Sequence, residues 1–219
     1  MRKFNIKIDL SRFFVVPREE TEFWVKKVIG QLTTKNKQLG IFNKRQKNYK
    51  ILDLFSGTGF IGIALLEACP EICRRVDFGD VDKRALEQIK INLKINQIKS
   101  PRAKIIKTDI FSNIKRKYDL IFANPPYVAQ ERLQEVQSSV KNFEPEVAWY
   151  AGKEGLMVIS KFLKEAKKFL RESGIIFMEF DSSQKEKIKK LLVRYKYPRF
   201  NFYKDQFRKH RWVKIMKTP

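Results

Sequence analysis

The chain has 219 residues, 43% of them hydrophobic, which suits one α/β domain with a single sizeable core. No apolar run approaches the ~20 residues needed to span a bilayer, and the N-terminus MRKFNIKIDLSRFF lacks the long apolar centre of a signal peptide, so no membrane association is expected and a cytoplasmic location is. Lys and Arg number 47 against 24 Asp and Glu, a net charge of +23, which predicts nonspecific attraction to polyanions such as RNA or ribosomes.

In chain order, Phe4, Ile6 and Ile8 alternate and Phe13, Phe14, Val15 and Val16 follow, a pattern that predicts a short N-terminal β-hairpin over residues 1–17. Pro17 ends it. Glu19, Glu20 and Glu22 then favour the start of a helix carrying Phe23, Trp24, Val28 and Leu32. The polar, basic stretch 33–48 reads as loop. A βα rhythm follows, with strands at Lys50–Leu54, Arg75–Gly79, Lys104–Thr108, Tyr118–Ala123 and Gly174–Phe180. Helices are predicted at Phe60–Ala68, Lys83–Asn96, Gly155–Arg171 and Ser182–Tyr195. Two last strands are expected near Arg199–Lys204 and Arg211–Met216. The alternation argues for a largely parallel sheet covered on both faces, with residues 18–219 as one domain behind the hairpin. Cys69 and Cys73 match no metal-ligand or redox spacing; both are expected to be reduced and structural, and no metal is expected.

Asp53-Leu54-Phe55-Ser56-Gly57-Thr58-Gly59-Phe60-Ile61-Gly62 leaves the first central strand and opens a helix. Its glycines permit a tight turn and close approach of a ligand to backbone. The spacing Gly57-x-Gly59-x-x-Gly62 also fits a dinucleotide site, a weak signal by itself. Three acids argue against a pyrophosphate there: Asp53 at the end of the first strand, Asp80 at the end of the second, and Asp109 after the third. Carboxylates around a Gly-rich turn suit a cationic, hydroxylated ligand, and S-adenosylmethionine is one, with a sulfonium, an ammonium and a ribose.

Asn124-Pro125-Pro126-Tyr127 follows the buried run Leu120–Ala123. An amide followed by two prolines makes a stiff, polar loop mouth whose carbonyls are not matched by proline N–H groups. The Asn124 side-chain oxygen and the Pro125 carbonyl can both accept hydrogens from another planar NH2 group. The residues alone leave two acceptors open, a carboxamide or the exocyclic amine of a base, and a plain Pro-Pro turn beside them.

Together these segments resemble class I S-adenosylmethionine-dependent methyltransferases, and within them the HemK/PrmC family, the glutamine N5-methyltransferases of peptide-chain release factors. The likeness runs from about Phe4 to Val213. Pro17–Glu22 resembles the family's PRxETE segment, Asp53–Gly62 its cofactor loop, Asp109-Ile110-Phe111 its DxF segment, and Asn124–Tyr127 its NPPY. Phe143-Glu144-Pro145 with Ala151–Leu156 resembles EP…GGxDGL, and Lys204-Asp205 with Arg211 falls where the family ends in KD…DR. NPPY is shared with adenine-N6 methyltransferases; its combination with the other segments is narrower.

The resemblance implies a Rossmann-like, mostly parallel seven-stranded sheet with one antiparallel strand near the C-terminus. It implies cofactor contacts from Phe55, Ser56, Gly57, Thr58, Gly59, Asp80 and Ile110, with Asp53, Asp109 and Asn124 close by, and S-adenosylhomocysteine as product. It implies substrate contacts from Asn124, Pro125, Pro126 and Tyr127, of which Asn124, Pro125 and Tyr127 would act in catalysis, and a substrate that is the Gln of the release-factor GGQ loop. The sequence starts at the hairpin, so the small helical N-terminal domain usual in bacterial members is expected to be either absent or removed. Single-domain relatives that work with a small partner protein carry a different N-terminal motif, so a monomer is expected. Departures include Phe55-Ser56 in the cofactor loop, Ala151 for Gly and Glu154 for Asp.

The two alternatives to a glutamine amide are methylation of an exocyclic amine (adenine N6 or guanine N2) in RNA or DNA, and a nonenzymatic cofactor-binding or ribosome-associated module. A nucleic-acid enzyme must reach an unstacked base and usually carries a recognition domain, for which 33–48 leaves little room. Asp53, Asp80 and Asn124 together argue against a module without activity.

Overall fold

The computed structural model describes residues 4–13, 15–33, 48–135, 144–152 and 154–217. Phe14, Phe143, Lys153 and most of the basic stretch 33–48 lie outside the described residues. Seven strands form one sheet: β1 (Lys50–Leu54), β2 (Arg75–Asp80), β3 (Ala103–Lys107), β4 (Tyr118–Ala123), β5 (Leu170–Glu179), β6 (Arg199–Lys204) and β7 (His210–Met216). Their order is β3-β2-β1-β4-β5-β7-β6, parallel from β3 through β5, with β7 running against both its neighbours. The connecting helices are α1 (Glu19–Thr33), α2 (Phe60–Ala68), α3 (Lys83–Ile95), α4 (Met157–Phe169) and α5 (Lys185–Arg194).

The central strands are apolar on both faces because both are covered. Ile51, Leu52, Ile121, Phe122, Ile176 and Phe177 are all fully buried, which is why these segments read as continuous hydrophobic runs rather than alternating ones. Two cores result. One lies under α1, α2 and α3 and includes a layer of stacked rings, with Trp24 against Phe122 at 6.2 Å and against Trp212 at 6.0 Å, and Tyr203 on Trp212 at 4.1 Å. The other lies under α4 and α5 around Phe162, Leu163, Ile188 and Leu192. Cys69 and Cys73 are buried free thiols in the first core, with Cys73 Sγ donating to Cys69 Sγ at 3.3 Å.

The expected N-terminal hairpin does not form among the described residues; 4–10 carry no strand pairing. The alternation is nonetheless used, since Phe4, Ile6 and Ile8 pack on the first core. The backbone bonds go to three amide side chains of α3 instead of to a second strand. Asn96 pairs with the Lys7 N–H and C=O, Asn92 with those of Asp9, and Gln88 Oε1 accepts from Arg12 and Phe13. Four residues of helix rise about 6 Å and two residues of extended chain span about 6.6 Å, so Asn96 and Asn92 match alternate residues Lys7 and Asp9, after which the chain bends to bring Arg12 and Phe13 to Gln88. A second difference is at α4, which starts at Met157 rather than Gly155, because Gly155 adopts φ +67 in a tight approach to the loop after β4.

Candidate active site

β1 has β2 on one side and β4 on the other, so the chain's direction of winding reverses there. Beyond the carboxyl ends of strands at such a point, the flanking loops diverge and leave a crevice. Here the crevice is a cavity of about 1350 Å³. Phe55–Thr58, Asp80, Asp109, Ile110 and Asn124–Tyr127 all line it, so the loops singled out in the sequence meet in one place.

The Gly-rich turn is built by backbone demands. Phe55, Gly57 and Gly59 have φ values of 61°, 52° and 79°. At Gly62 a Cβ would stand 2.2 Å from the buried Phe78 ring, so α2 can approach β2 only with glycine there. Ser56 Oγ donates to the carbonyls of Asp53 and Gly79, which ties the turn to β1 and β2.

The three acids take different places. Asp80 lines the cavity, and its oxygens accept from the N–H of Gly57 (2.9 Å) and of Asp82 (3.0 Å); burial raises its pKa. Asp109 is exposed at the rim, paired with Lys161 at 2.8 Å. Asp53 stands behind the turn and not in the cavity wall: one oxygen accepts from Gly62 N–H at 2.9 Å, and the other, Oδ1, is buried without a hydrogen-bond partner among the described residues. Burial pushes its pKa well above the ordinary value, against the Gly62 bond, and the neighbouring Asp80 adds to the rise.

At the opposite wall, Asn124 is held from α1. Its Nδ2 donates to Thr21 Oγ1 across 3.5 Å, Thr21 Oγ1 donates to Glu179 Oε2 at 2.7 Å, and Trp24 Nε1 donates to the same oxygen at 2.6 Å. No hydrogen bond from a described residue reaches Asn124 Oδ1. Burial raises the Tyr127 phenol pKa, with Glu179 contributing, so the hydroxyl keeps its proton. Gln184 Nε2 donates to the carbonyls of Tyr127 and Gly155, both at 2.9 Å, and Val128 bridges to Tyr150. These bonds bring Ala151, Gly152 and Glu154–Leu156 against the exit of the Asn-Pro-Pro-Tyr loop. Arg18 pairs with Glu144 at 2.5 Å, and Arg211 with Asp205 at 3.1 Å.

Sequence reasoning therefore located the loops but missed Thr21, Glu179 and Gln184 as their supports. The signal was faint: Glu179 is an acid closing the apolar run Ile175–Met178 and Gln184 a buried amide at a helix start. Among the described residues no group of three or more His, Cys, Asp or Glu could hold a metal ion, and no helix is long and apolar enough to cross a membrane.

Residues 39–143 match the family described as Methyltransferase small domain. A "Bifunctional methyltransferase" of Rickettsia typhi is 31% identical over 94% of this chain, and the chain spans only 41% of that protein's length. A chain of the E. cuniculi Mtq2–Trm112 complex, responsible for methylation of the eRF1 translation termination factor, shares the fold at TM-score 0.59 and 17% identity, with 94% of this chain and 99% of that one covered. A "Release factor glutamine methyltransferase" of Clostridium botulinum is 30% identical across 98% of this chain and 70% of its own length. With that likeness running through nearly all of the sequence, the chain belongs to the HemK/PrmC family of release factor glutamine methyltransferases.

Proposed function

We propose that this chain methylates the side-chain amide nitrogen (N5) of the glutamine in the GGQ motif of a peptide-chain release factor, with S-adenosylmethionine as donor. The observation that carries it is Asn124. Its NH2 is turned toward Thr21, and its carbonyl oxygen is left to accept a hydrogen from a planar NH2 group entering the cavity.

The cavity fits such a donor molecule. Asp80 in its wall, with Asp109 at the rim, suits a hydroxylated ligand that brings positive charge. Phe55–Gly59 would hold its amino-acid end, Asp80 its ribose hydroxyls, and Asp109 with Ile110 its base. When bound, it supplies a methyl group already activated by a sulfonium, so the protein has positioning as its main task. Asn124 Oδ1 and the Pro125 carbonyl would accept the two amide hydrogens and favour the partly positive nitrogen of the transition state. Pro126 stiffens the loop, and Tyr127 would cover one face of the flat amide. With its phenol protonated, Tyr127 is no base, and the product proton leaves to solvent.

In this reading residues 18–219 are the catalytic domain, working as a monomer in the cytoplasm, with 1–17 as an appendage. The +23 charge would draw the protein nonspecifically toward RNA or ribosomes. That charge, and an opening that also suits an exocyclic amine, keep RNA or DNA methylation as the second reading. The test runs labelled cofactor with a release factor and, in parallel, with total RNA, followed by mass spectrometry of the GGQ peptide. One methyl on its glutamine is expected, and Asn124→Ala should lower turnover by at least about 10²-fold while cofactor affinity by calorimetry stays within about threefold. Label in RNA with an unmodified GGQ peptide would overturn the reading.

A further inference from the structure

We propose that Thr21 is a positioning residue that sets the polarity of the Asn124 amide, through a one-way chain of hydrogen bonds anchored on Glu179. The inference rests on Asn124 receiving a planar NH2 group, as in the function proposed above, and holds whether that group belongs to glutamine or to a base.

An amide side chain can present either its oxygen or its NH2 to a cavity, and nothing in the shape of Asn124 chooses between them. Presented NH2-first, it would face the incoming NH2 donor to donor. The choice is made three residues into α1. Glu179 Oε2 is buried at the end of β5 and already accepts from Trp24 Nε1 at 2.6 Å. Burial raises the Glu179 pKa, while the bonds from Trp24 and Thr21 act against that rise; an Oε2 that carries no proton is acceptor-only, so the Thr21 hydroxyl, 2.7 Å away, spends its single proton on it. Thr21 Oγ1 is then left with lone pairs alone on its other side, and the Asn124 group 3.5 Å from it must be the NH2. Oδ1 is thereby turned away from Thr21 and, with no bond from a described residue, is left as the acceptor that Asn124 brings to the cavity it lines. Thr21 is 4% exposed, which keeps water from supplying a competing donor.

The bland alternative is that Thr21 merely ties α1 to the sheet. Trp24 makes the same tie to the same oxygen, so the two roles separate by mutation. The test follows the Asn124 side-chain NH2 signals by NMR in the full chain with S-adenosylhomocysteine, assigned by their loss in Asn124→Asp. It also measures kcat and cofactor KM on release factor and on RNA. Thr21→Val and Thr21→Ala delete the hydroxyl with different packing. Both should shift the Asn124 NH2 signals toward those of a solvated amide and lower kcat by about 10²-fold with cofactor KM within threefold. Thr21→Ser should restore both readouts. Trp24→Phe should lower the melting temperature while leaving the Asn124 signals and kcat near wild type. Asn124 signals unmoved in the Thr21→Val and Thr21→Ala proteins overturn the proposal, as does a Trp24→Phe protein that loses them equally. Failure of the wild-type chain to methylate release factor counts against the proposed substrate alone, because the NMR readout needs no turnover.

Discussion

Asn92 offers the sharpest perturbation of the fold, because one side chain there does the work of a missing strand. It is fully buried on α3. Its Oδ1 accepts from Asp9 N–H at 2.8 Å, and its Nδ2 donates to Asp9 C=O at 3.2 Å and to Thr58 C=O at 2.8 Å. Asn92→Ala removes all three bonds and strands the buried Thr58 carbonyl. At about 1 kcal/mol net per bond the loss is about 3 kcal/mol, or roughly 150-fold in the unfolding constant. Asn96 makes two similar bonds to Lys7, but on the exposed flank of the same ladder, where water replaces them. Asn96→Ala should therefore cost less than about 1 kcal/mol. The assay is urea unfolding of both variants beside wild type, with the slope checked for constancy. A second readout is cofactor affinity, which should fall in Asn92→Ala because Thr58 belongs to the Gly-rich turn. Equal, small losses for the two variants would refute the reasoning. They would mean that Phe4, Ile6 and Ile8 hold the strap by burial and that the amides are incidental.

Two further outcomes follow from single positions. Gly155→Ala would place a methyl 2.2 Å from the Tyr127 carbonyl oxygen at a φ of +67°, so the loop carrying Asn124 must move; turnover should drop more than about tenfold with S-adenosylhomocysteine affinity nearly unchanged, and a wild-type kcat would show that the loop tolerates displacement. Lys214 is buried on β7, and burial depresses its pKa from 10.5 to about 8. A lysine whose folded pKa is lowered destabilises the fold while protonated, and stability rises as pH climbs from about 8 past 10.5. Lys214→Met should accordingly be more stable than wild type at pH 7 by about 1–3 kcal/mol, with the gap closing near pH 10.5, and a pH-independent difference would contradict the desolvation account.

How much of the site was legible depended on how far apart its parts lie along the chain. Asp80 and Asn124 could be read because one ends and the other directly follows a buried parallel strand, and a residue at that carboxyl end has few places to be other than the crevice. Asp53 shows the limit of that rule: it stands one residue inside the end of β1, and its side chain turns behind the Gly-rich loop to reach Gly62 N–H. The hairpin expectation failed for a related reason. Alternation reports that a segment is extended with one face buried, and says nothing of what its backbone pairs with. The amides at 88, 92 and 96 carried the missing information, as polar side chains at four-residue spacing on the face of α3 that also bears Ile89 and Leu93.

By itself the sequence determined the local terms: the strands and most helix bounds, the positive-φ turn, the stiff Asn-Pro-Pro-Tyr loop, and a resemblance strong enough to name a family. Those follow from period, glycine and proline geometry, and residues within a few positions of one another. Only the tertiary structure decided which way the Asn124 amide points, because its partner Thr21 lies 103 residues away and the anchor Glu179 lies 158 residues from Thr21. Hydrogen-bond polarity is a property of the whole chain of donors and acceptors, and that chain exists only once α1, β4 and β5 have come together.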